Sequence, residues 1–216
     1  MGFQRHIKGI VANLGLGTGK AVNLGSDWPA IRYIDVFVNP AATPTNVGSC
    51  DLVTSVAASA AAAGVDLTIV AAVEATLRYQ PRSLAIAADA GQTEAVTVTG
   101  TDQFGNAQTE DITFNGNAVV QGVKVWGSVT KLHCAQRSGA ANIGVGLGTI
   151  LGTSRRVLGL SLDGAVFTTT DGKLTSVQET TRPVKSTTAA VYGVTFSTAI
   201  AATKTYVISY LSDEMR

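Results

Sequence analysis

The chain has 216 residues, of which 45% are hydrophobic and only 14% are charged, and its formal net charge is +1. This length and hydrophobic content indicate one globular domain or two small ones and exclude wholesale disorder. The near-zero net charge argues against nucleic acid or an anionic membrane as a partner. The sequence contains no run of about 18 apolar residues, so we predict no membrane-spanning helix. The N-terminal segment contains no continuous apolar stretch, so we expect no signal peptide.

Residues 1–45 differ in composition from the rest of the chain, because a glycine-rich leader precedes a group of aromatic residues. The alternation over Ile31–Val38 predicts a strand, which is either the first strand of the chain's own sheet or part of an arm that packs on a neighbouring subunit. We predict that residues 1–45 form an extended arm, since a glycine-rich leader is entropically costly to fix without a partner. The candidate partner contacts in this arm are Trp28, Arg32, Tyr33 and Phe37.

The next segment, residues 50–64, is rich in alanine. Asp51 is a suitable N-cap and Gly64 a suitable residue to follow a helix, so we predict a short helix. The alternative is a tightly packed strand or loop of small residues. Residues 67–73 and 75–79 are rich in apolar side chains, and we predict that both segments are extended.

Four later segments alternate apolar and polar residues with the period of two that is typical of strands. They are residues 83–88, 95–101, 108–114 and 119–132. The sequence DQFGN predicts a hairpin turn in which Gly105 has a positive φ, and Asn115-Gly116 predicts a type I′ turn. Within the last segment, the alternation places Val123 and Val125 on one face.

Glycines alternate with Ile143, Val145 and Leu147 in the sequence IGVGLG. One face of this predicted strand is apolar and the other carries no side chains, which allows another backbone to approach closely. Further strands are predicted at residues 157–162, 165–170, 173–175, 192–196 and 205–211, with hairpin turns at Asp163-Gly164 and Asp171-Gly172.

Short strands at this spacing, joined by glycine turns, predict an all-β fold. We expect an antiparallel β-sandwich or barrel with an extended N-terminal arm and at most one or two short helices. The predicted parts are the arm (1–45), a β-rich domain (46–155) and a second β-rich lobe (156–216), with continuity between the last two left open. Arg155 and Arg156 lie at this junction, either in a solvated turn or in an intersubunit ionic contact, and they complete the set of candidate partner contacts.

The sequence offers no catalytic, cofactor or metal site, and we predict that the protein is not an enzyme. His133 and Cys134 are adjacent in a predicted strand, so their side chains point to opposite faces, as do those of Glu110 and Asp111. No set of residues has the spacing of metal ligands, and LGLGTGK lacks the first glycine and the final hydroxyl residue of a phosphate-binding loop. A domain of this size needs no disulfide, so we expect Cys50 and Cys134 to be free, buried thiols.

Residues 80–211 contain a series of short motifs in a definite order. Pro81-Arg82 introduces an aliphatic strand, and VTVTGTD is followed by the Gly105-Asn106 turn and by TEDI. The sequence KVWGSVTKL begins at Lys124, and the glycine-alternating strand, a hairpin over residues 158–164 and TKTYVISYL complete the series.

The order of these motifs resembles that of structural proteins of tailed bacteriophages. This resemblance implies a non-enzymatic virion component of the kind found in head decoration, minor capsid and tail-associated proteins. We expect a capsid decoration or cement protein that binds the head shell in many copies, with the major capsid protein as its partner and homo-oligomers in the particle. Its expected location is the virion, assembled in the host cytoplasm, and no cofactor is expected. The alternative is a tail, neck or baseplate-associated binding module, including one for host-receptor recognition.

Overall fold

The computed structural model describes residues 31–38, 40–57, 64–135, 141–154, 159–160, 165–170, 173–177, 184–185, 193–196 and 199–212. The strands are β1 (Ile31–Val38), β2 (Val53–Ala57), β3 (Val65–Asp66), β4 (Arg82–Ala88), β5 (Ala95–Thr101), β6 (Ala107–Thr113), β7 (Val120–Gln121), β8 (Ser128–Cys134), β9 (Asn142–Gly152), β10 (Gly159–Leu160), β11 (Ala165–Thr170), β12 (Lys173–Val177), β13 (Val184–Lys185), β14 (Gly193–Thr195) and β15 (Lys204–Ser212). The helical segments are α1 (Ala71–Glu74) and two 3-10 turns, Val47–Ser49 and Ala75–Arg78.

The described strands form three sheets in which every pairing is antiparallel, so the predicted all-β class is confirmed. We call them the central sheet (β13-β14-β9-β4-β7, with β2 also on β9), the outer sheet (β3-β8-β5-β6) and the terminal sheet (β1-β15-β11-β12, with β10 on β15). In the described part of the chain, no helix has the length and hydrophobicity needed to span a membrane.

The main core lies between the central and outer sheets, which gives this part of the fold its sandwich character. Inward-facing residues of β4, β5 and β9, where apolar side chains stand at every second position, pack with those of β6 and β8. The fully buried members of this core include Leu84, Ile86, Val96, Val98, Leu132, Ile143 and Val145. Trp126 joins them with no exposed surface.

A second core joins the terminal sheet to the far end of β9. Phe37 of β1 packs there with Leu151 of β9, while Phe196 and Tyr206 meet edge to face with ring centroids 5.1 Å apart. Because β1 pairs with β15 along its whole length, the prediction of an arm over residues 1–45 is wrong for Ile31–Val38. That segment is a strand of the chain's own sheet, and residues 1–30 lie outside the described residues.

Two local predictions are corrected by the structure. Residues Val53–Ala57 of the predicted helix form β2, because three of these five residues are β-branched and the segment pairs with β9. The alanine-rich residues 58–63 lie outside the described part. Residues Ala71–Arg78 are helical rather than extended. Here Leu77 is fully buried and Val73, four positions earlier, packs against the same core, which is the spacing of one helix face.

The predicted continuous strand over 119–132 is interrupted between β7 and β8. The carboxylate of Glu110 accepts hydrogen bonds from the amides of Val123 (2.6 Å) and Lys124 (3.3 Å), which holds the chain away from a regular ladder. Val123 is therefore 47% exposed while Val125 is buried, so their predicted common face is wrong. The positive φ predicted for Gly105 is confirmed at 88°.

Strands on either side of the predicted boundary at 155/156 share sheets. In the central sheet, β14 pairs with β9. In the terminal sheet, β15 pairs with β11 on one side and with β1 on the other. In the β11–β12 hairpin, Thr170 lies opposite Lys173, and the predicted turn residues Asp171-Gly172 lie outside the described residues.

Candidate interaction site

Of the six candidate partner contacts, three lie within the described residues. Phe37 is 4% exposed and belongs to the second core, so its proposed role as an anchor for a partner is corrected. Arg32 and Tyr33 lie in β1, opposite Leu211 and Tyr210 of β15. The other three candidates, Trp28, Arg155 and Arg156, lie outside the described residues.

Asp35 of β1 contacts Ser154, which lies two residues after the end of β9. The sequence did not predict this contact. Ser154 donates to Asp35 twice, from its amide (2.8 Å) and from its hydroxyl (2.9 Å). Gln103, at the tip of the β5–β6 hairpin, donates to the carbonyl of Thr153 at 3.3 Å. The chain is therefore fixed by two elements immediately before Arg155.

The glycine face of β9 is covered by residues 43–51, which we call the strap. A Cβ atom on Gly144 would lie 2.7 Å from Cys50 Cβ, and one on Gly146 would lie 2.9 Å from Pro44 Cγ. Both separations are shorter than real Cβ contacts. The close approach predicted from the IGVGLG alternation is thus found at Gly144 and Gly146, and it is made by strap side chains and by one strap backbone atom, the carbonyl oxygen of Val47, 3.1 Å from the Cβ position of Gly144.

Arg82 lies beneath the strap and has no exposed surface. Its guanidinium donates to the carbonyls of Ala41 and Gly148, to that of Leu147 at 3.3 Å, and to the hydroxyl of Thr43 at 3.1 Å. Nε also donates to Gly148 O at 3.0 Å. Because a buried charge is tolerated only when its donors are satisfied, these bonds fix the strap against β9.

The electrostatics of this centre are dominated by burial. Burial lowers the pKa of Arg82 to about 10, and the charges of Asp51 and Tyr206 oppose that shift. Burial also raises the pKa of Asp51, against the nearby positive charge of Arg82. The hydroxyl of Thr43 extends the network by accepting from the amide of Ile200 at 3.1 Å, just before β15. All of these contacts hold parts of the fold together, and none presents a reactive group to solvent.

An exposed ion network lies where β3 pairs with β8. Asp66 Oδ1 is 2.6 Å from His133 Nδ1, and Asp66 Oδ2 is 3.2 Å from Lys131 Nζ. His133 points outward while Cys134 is fully buried, as the alternation of a strand requires. The hydrogen bonds from His133 and then Lys131 hold the pKa of Asp66 below its ordinary value.

We expect His133→Leu to raise the pKa of Asp66 toward its ordinary value of 3.8, because the substitution removes the hydrogen bond that lowers this pKa most. A carboxyl group with a lowered folded pKa stabilises the fold above its unfolded pKa, and that contribution disappears as pH falls through the folded pKa. A pH titration of the Asp66 side-chain carboxyl carbon by NMR measures the shift. Thr130→Val, at an exposed position in the same strand, is the control, and an unchanged Asp66 pKa in His133→Leu would contradict the assignment.

Both cysteines are free and buried, which confirms the expectation from composition. Burial, followed by the negative charge of Asp51, raises the pKa of Cys50 to about 12. We expect neither thiol of the folded protein to react with Ellman's reagent at mildly alkaline pH, because the thiolate is the reactive form. Both should react after denaturation. Rapid reaction of Cys50 under native conditions, located by peptide mapping of the modified chain, would show that the strap does not protect it.

No group of three His, Cys, Asp or Glu side chains within the described ranges is placed to hold a metal ion. Comparison with known protein families, with curated proteins and with solved structures found no match to this chain.

Proposed function

We propose that the chain is a structural protein of a tailed-phage virion, and that it decorates the head by binding the outer shell in many copies. The observation that carries this proposal is the order of the motifs over residues 80–211, which resembles that of such virion proteins. Each motif is short and degenerate, whereas the complete series in one order is far more specific.

The positions of the motif residues in the fold support a structural role. Arg82 and Trp126 are fully buried, and Val96 and Val98 of the VTVTGTD motif belong to the main core. Gly105 of the turn motif has the positive φ that the hairpin needs. These residues build the sandwich, which suits a structural role.

The composition supports assembly with other proteins. Charged residues are only 14% of the chain, so there is little charge to desolvate when its surfaces pack against other subunits. In the proposed role, the protein buries area across junctions of the major capsid protein and opposes the pressure of the packaged DNA. No catalytic step and no cofactor enters this function.

The second candidate is a tail, neck or baseplate-associated binding module, including one that recognises a host receptor. The resembling motifs occur in tail-associated proteins as well as in head proteins, so they favour a virion component more firmly than a position within it. Copy number separates the two candidates, since a head decoration protein is present in hundreds of copies and a tail module in about a dozen or fewer.

The test is to purify particles that contain the protein, count its copies by quantitative mass spectrometry and locate it by cryo-electron microscopy. We expect hundreds of copies on the outer face of the shell. Density at the tail with few copies would replace the head assignment by the second candidate. Absence of the protein from purified particles would overturn both.

A further inference from the structure

The turn between β6 and β7 places an exposed asparagine directly before a glycine. Asn115 is exposed, and its carboxamide makes no hydrogen bond with any described residue. Gly116 follows it with a φ of 64°, in the left-handed region that favours glycine. An unengaged carboxamide therefore lies beside the main-chain nitrogen of a residue that has no side chain.

The other described asparagines lack this combination. Three of them have carboxamides that are engaged in hydrogen bonds within the chain, and a residue with a side chain follows each. These three are Asn46, Asn106 and Asn142. Asn117 is closer to Asn115 in kind, since it is exposed and its carboxamide also makes no hydrogen bond with a described residue, but Ala118 follows it. Among the described asparagines, only Asn115 is both unengaged and followed by glycine.

The glycine matters because the carboxamide of asparagine is attacked by the main-chain nitrogen of the next residue. A side chain on that next residue hinders the attack, whereas glycine has no Cβ and reaches a wider range of φ and ψ. A Cβ atom built on Gly116 would have no heavy atom within 4 Å, so neighbouring atoms do not crowd the turn. The backbone at Gly116 therefore has room to take up the conformation that the attack requires.

A single backbone bridge holds the attacking nitrogen in the folded protein. The amide of Gly116 donates to Gln92 O at 2.8 Å, and the amide of Gln92 donates to Gly116 O at 3.3 Å. This bridge lies outside the named strands, and the side-chain Oε1 of Gln92 is buried without a hydrogen-bond partner among the described residues. Opening one isolated bridge is a local event that leaves the neighbouring strands paired. The fold therefore slows the attack on Asn115 without preventing it.

We propose that Asn115 of the folded protein deamidates spontaneously, with the main-chain nitrogen of Gly116 as the nucleophile. This nitrogen gives up its proton and bonds to Asn115 Cγ, the bond from Cγ to Nδ2 breaks, and Nδ2 leaves as ammonia. Water then opens the resulting succinimide ring at one of its carbonyl carbons. Opening at Cγ gives aspartate, and opening at the main-chain carbon gives isoaspartate. No atom is oxidised or reduced.

The modification changes the charge and the backbone of the turn. Either product replaces a neutral carboxamide by a carboxylate, so the formal net charge of the chain falls from +1 to zero. Isoaspartate also adds one methylene to the main chain, which disturbs the bridges from Gln92 to Gly116 and from Asn115 to Ala118. The link between the turn and the start of β5 is thereby weakened. This inference goes beyond the proposed virion role and does not require it.

The experiment incubates the purified, folded full chain at mildly alkaline pH and maps its peptides by mass spectrometry over several weeks. Isoaspartate is located by methylation with protein isoaspartyl methyltransferase. Asn117 is the internal control, because it has the same exposure and lies two residues away. We expect both aspartate and isoaspartate at position 115, formed about tenfold or more faster than at position 117, because only Asn115 precedes glycine.

Variants test the origin of the acidic form that ion-exchange chromatography separates from the parent. Asn115→Gln should abolish this form, because its longer side chain would have to close a larger and less favourable ring, whereas Asn117→Gln should leave it unchanged. Asn115→Asp marks the elution position of the aspartate product. The proposal is overturned by an unmodified Asn115, by equal rates at positions 115 and 117, or by an acidic form that persists in Asn115→Gln. Aspartate without isoaspartate would also overturn it, since water would then have attacked the carboxamide directly.

Discussion

Replacing Arg82 by methionine should lower the free energy of unfolding by about 3–5 kcal/mol. Methionine fills much of the volume but supplies no donor, so the carbonyls of Ala41, Leu147 and Gly148 lose their guanidinium partner while remaining buried. Arg82→Lys should recover only part of the loss, because one ammonium group cannot reproduce the planar set of donors. Urea unfolding followed by circular dichroism measures the change.

The matched control is Arg78→Met, which makes the same substitution four positions earlier at an exposed site. Its effect should stay within about 0.5 kcal/mol, as for most surface substitutions. If Arg82→Met and Arg78→Met unfold at the same urea concentration, the buried network does not stabilise the fold as described.

The second large effect is expected at the glycine face of β9. Gly144→Ala should destabilise the protein by about 1–3 kcal/mol, because the new methyl group would lie 2.7 Å from Cys50 Cβ and 2.9 Å from its sulfur. The strap would have to move, and Cys50 would become accessible. We therefore expect a lower melting temperature together with reaction of the Cys50 thiol in the folded protein.

Substitutions at two other glycines distinguish destabilisation by crowding from destabilisation by backbone strain. Gly91→Ala should be nearly neutral, since a Cβ there has no atom within 4 Å and the backbone needs no positive φ. Gly105→Ala also meets open space, but its φ of 88° disfavours a side chain by roughly 1–2 kcal/mol. Equal melting temperatures for the Gly144 and Gly91 variants would show that the strap is not closely packed.

The sequence predicted the strands best where a single period continued over a whole element. β5 alternates valine with threonine, and the structure buries Val96 and Val98 while their neighbours remain half-exposed. The IGVGLG pattern also predicted a close approach to the glycine face of β9. It did not indicate which segment makes that approach, because the strap is about a hundred residues away along the chain.

The predictions failed where the pattern of a short segment fitted a strand and a helix equally well. In residues 71–78, alanines fit a strand or a helix equally, and the decisive pair, Val73 and Leu77, is only one turn long. For Val53–Ala57, the alanine-rich composition of residues 50–64 favoured a helix, although three of the five residues are β-branched, and the pairing with β9 that determines the strand lies outside any local window.

The candidate contacts were the least predictable feature. An aromatic residue in an alternating strand, such as Phe37, suits a partner interface and an internal core equally well from sequence alone. The sequence indicated Arg82 only as part of the Pro81-Arg82 motif, since nothing in the neighbouring residues distinguishes a buried arginine from an exposed one. Tyr79 was assigned to an extended segment, and its exposure follows from the helical turn that replaced that segment.

The pairing of β1 with β15 also determines how the molecule should respond to tension. Ile31 lies opposite Ser212, so a load applied through these two positions opens the ladder one residue pair after another from that end. A load applied through Ile31 and Thr205 acts along the strands and strains all the pairs between them together. Single-molecule pulling should therefore find a lower rupture force for the first attachment geometry than for the second.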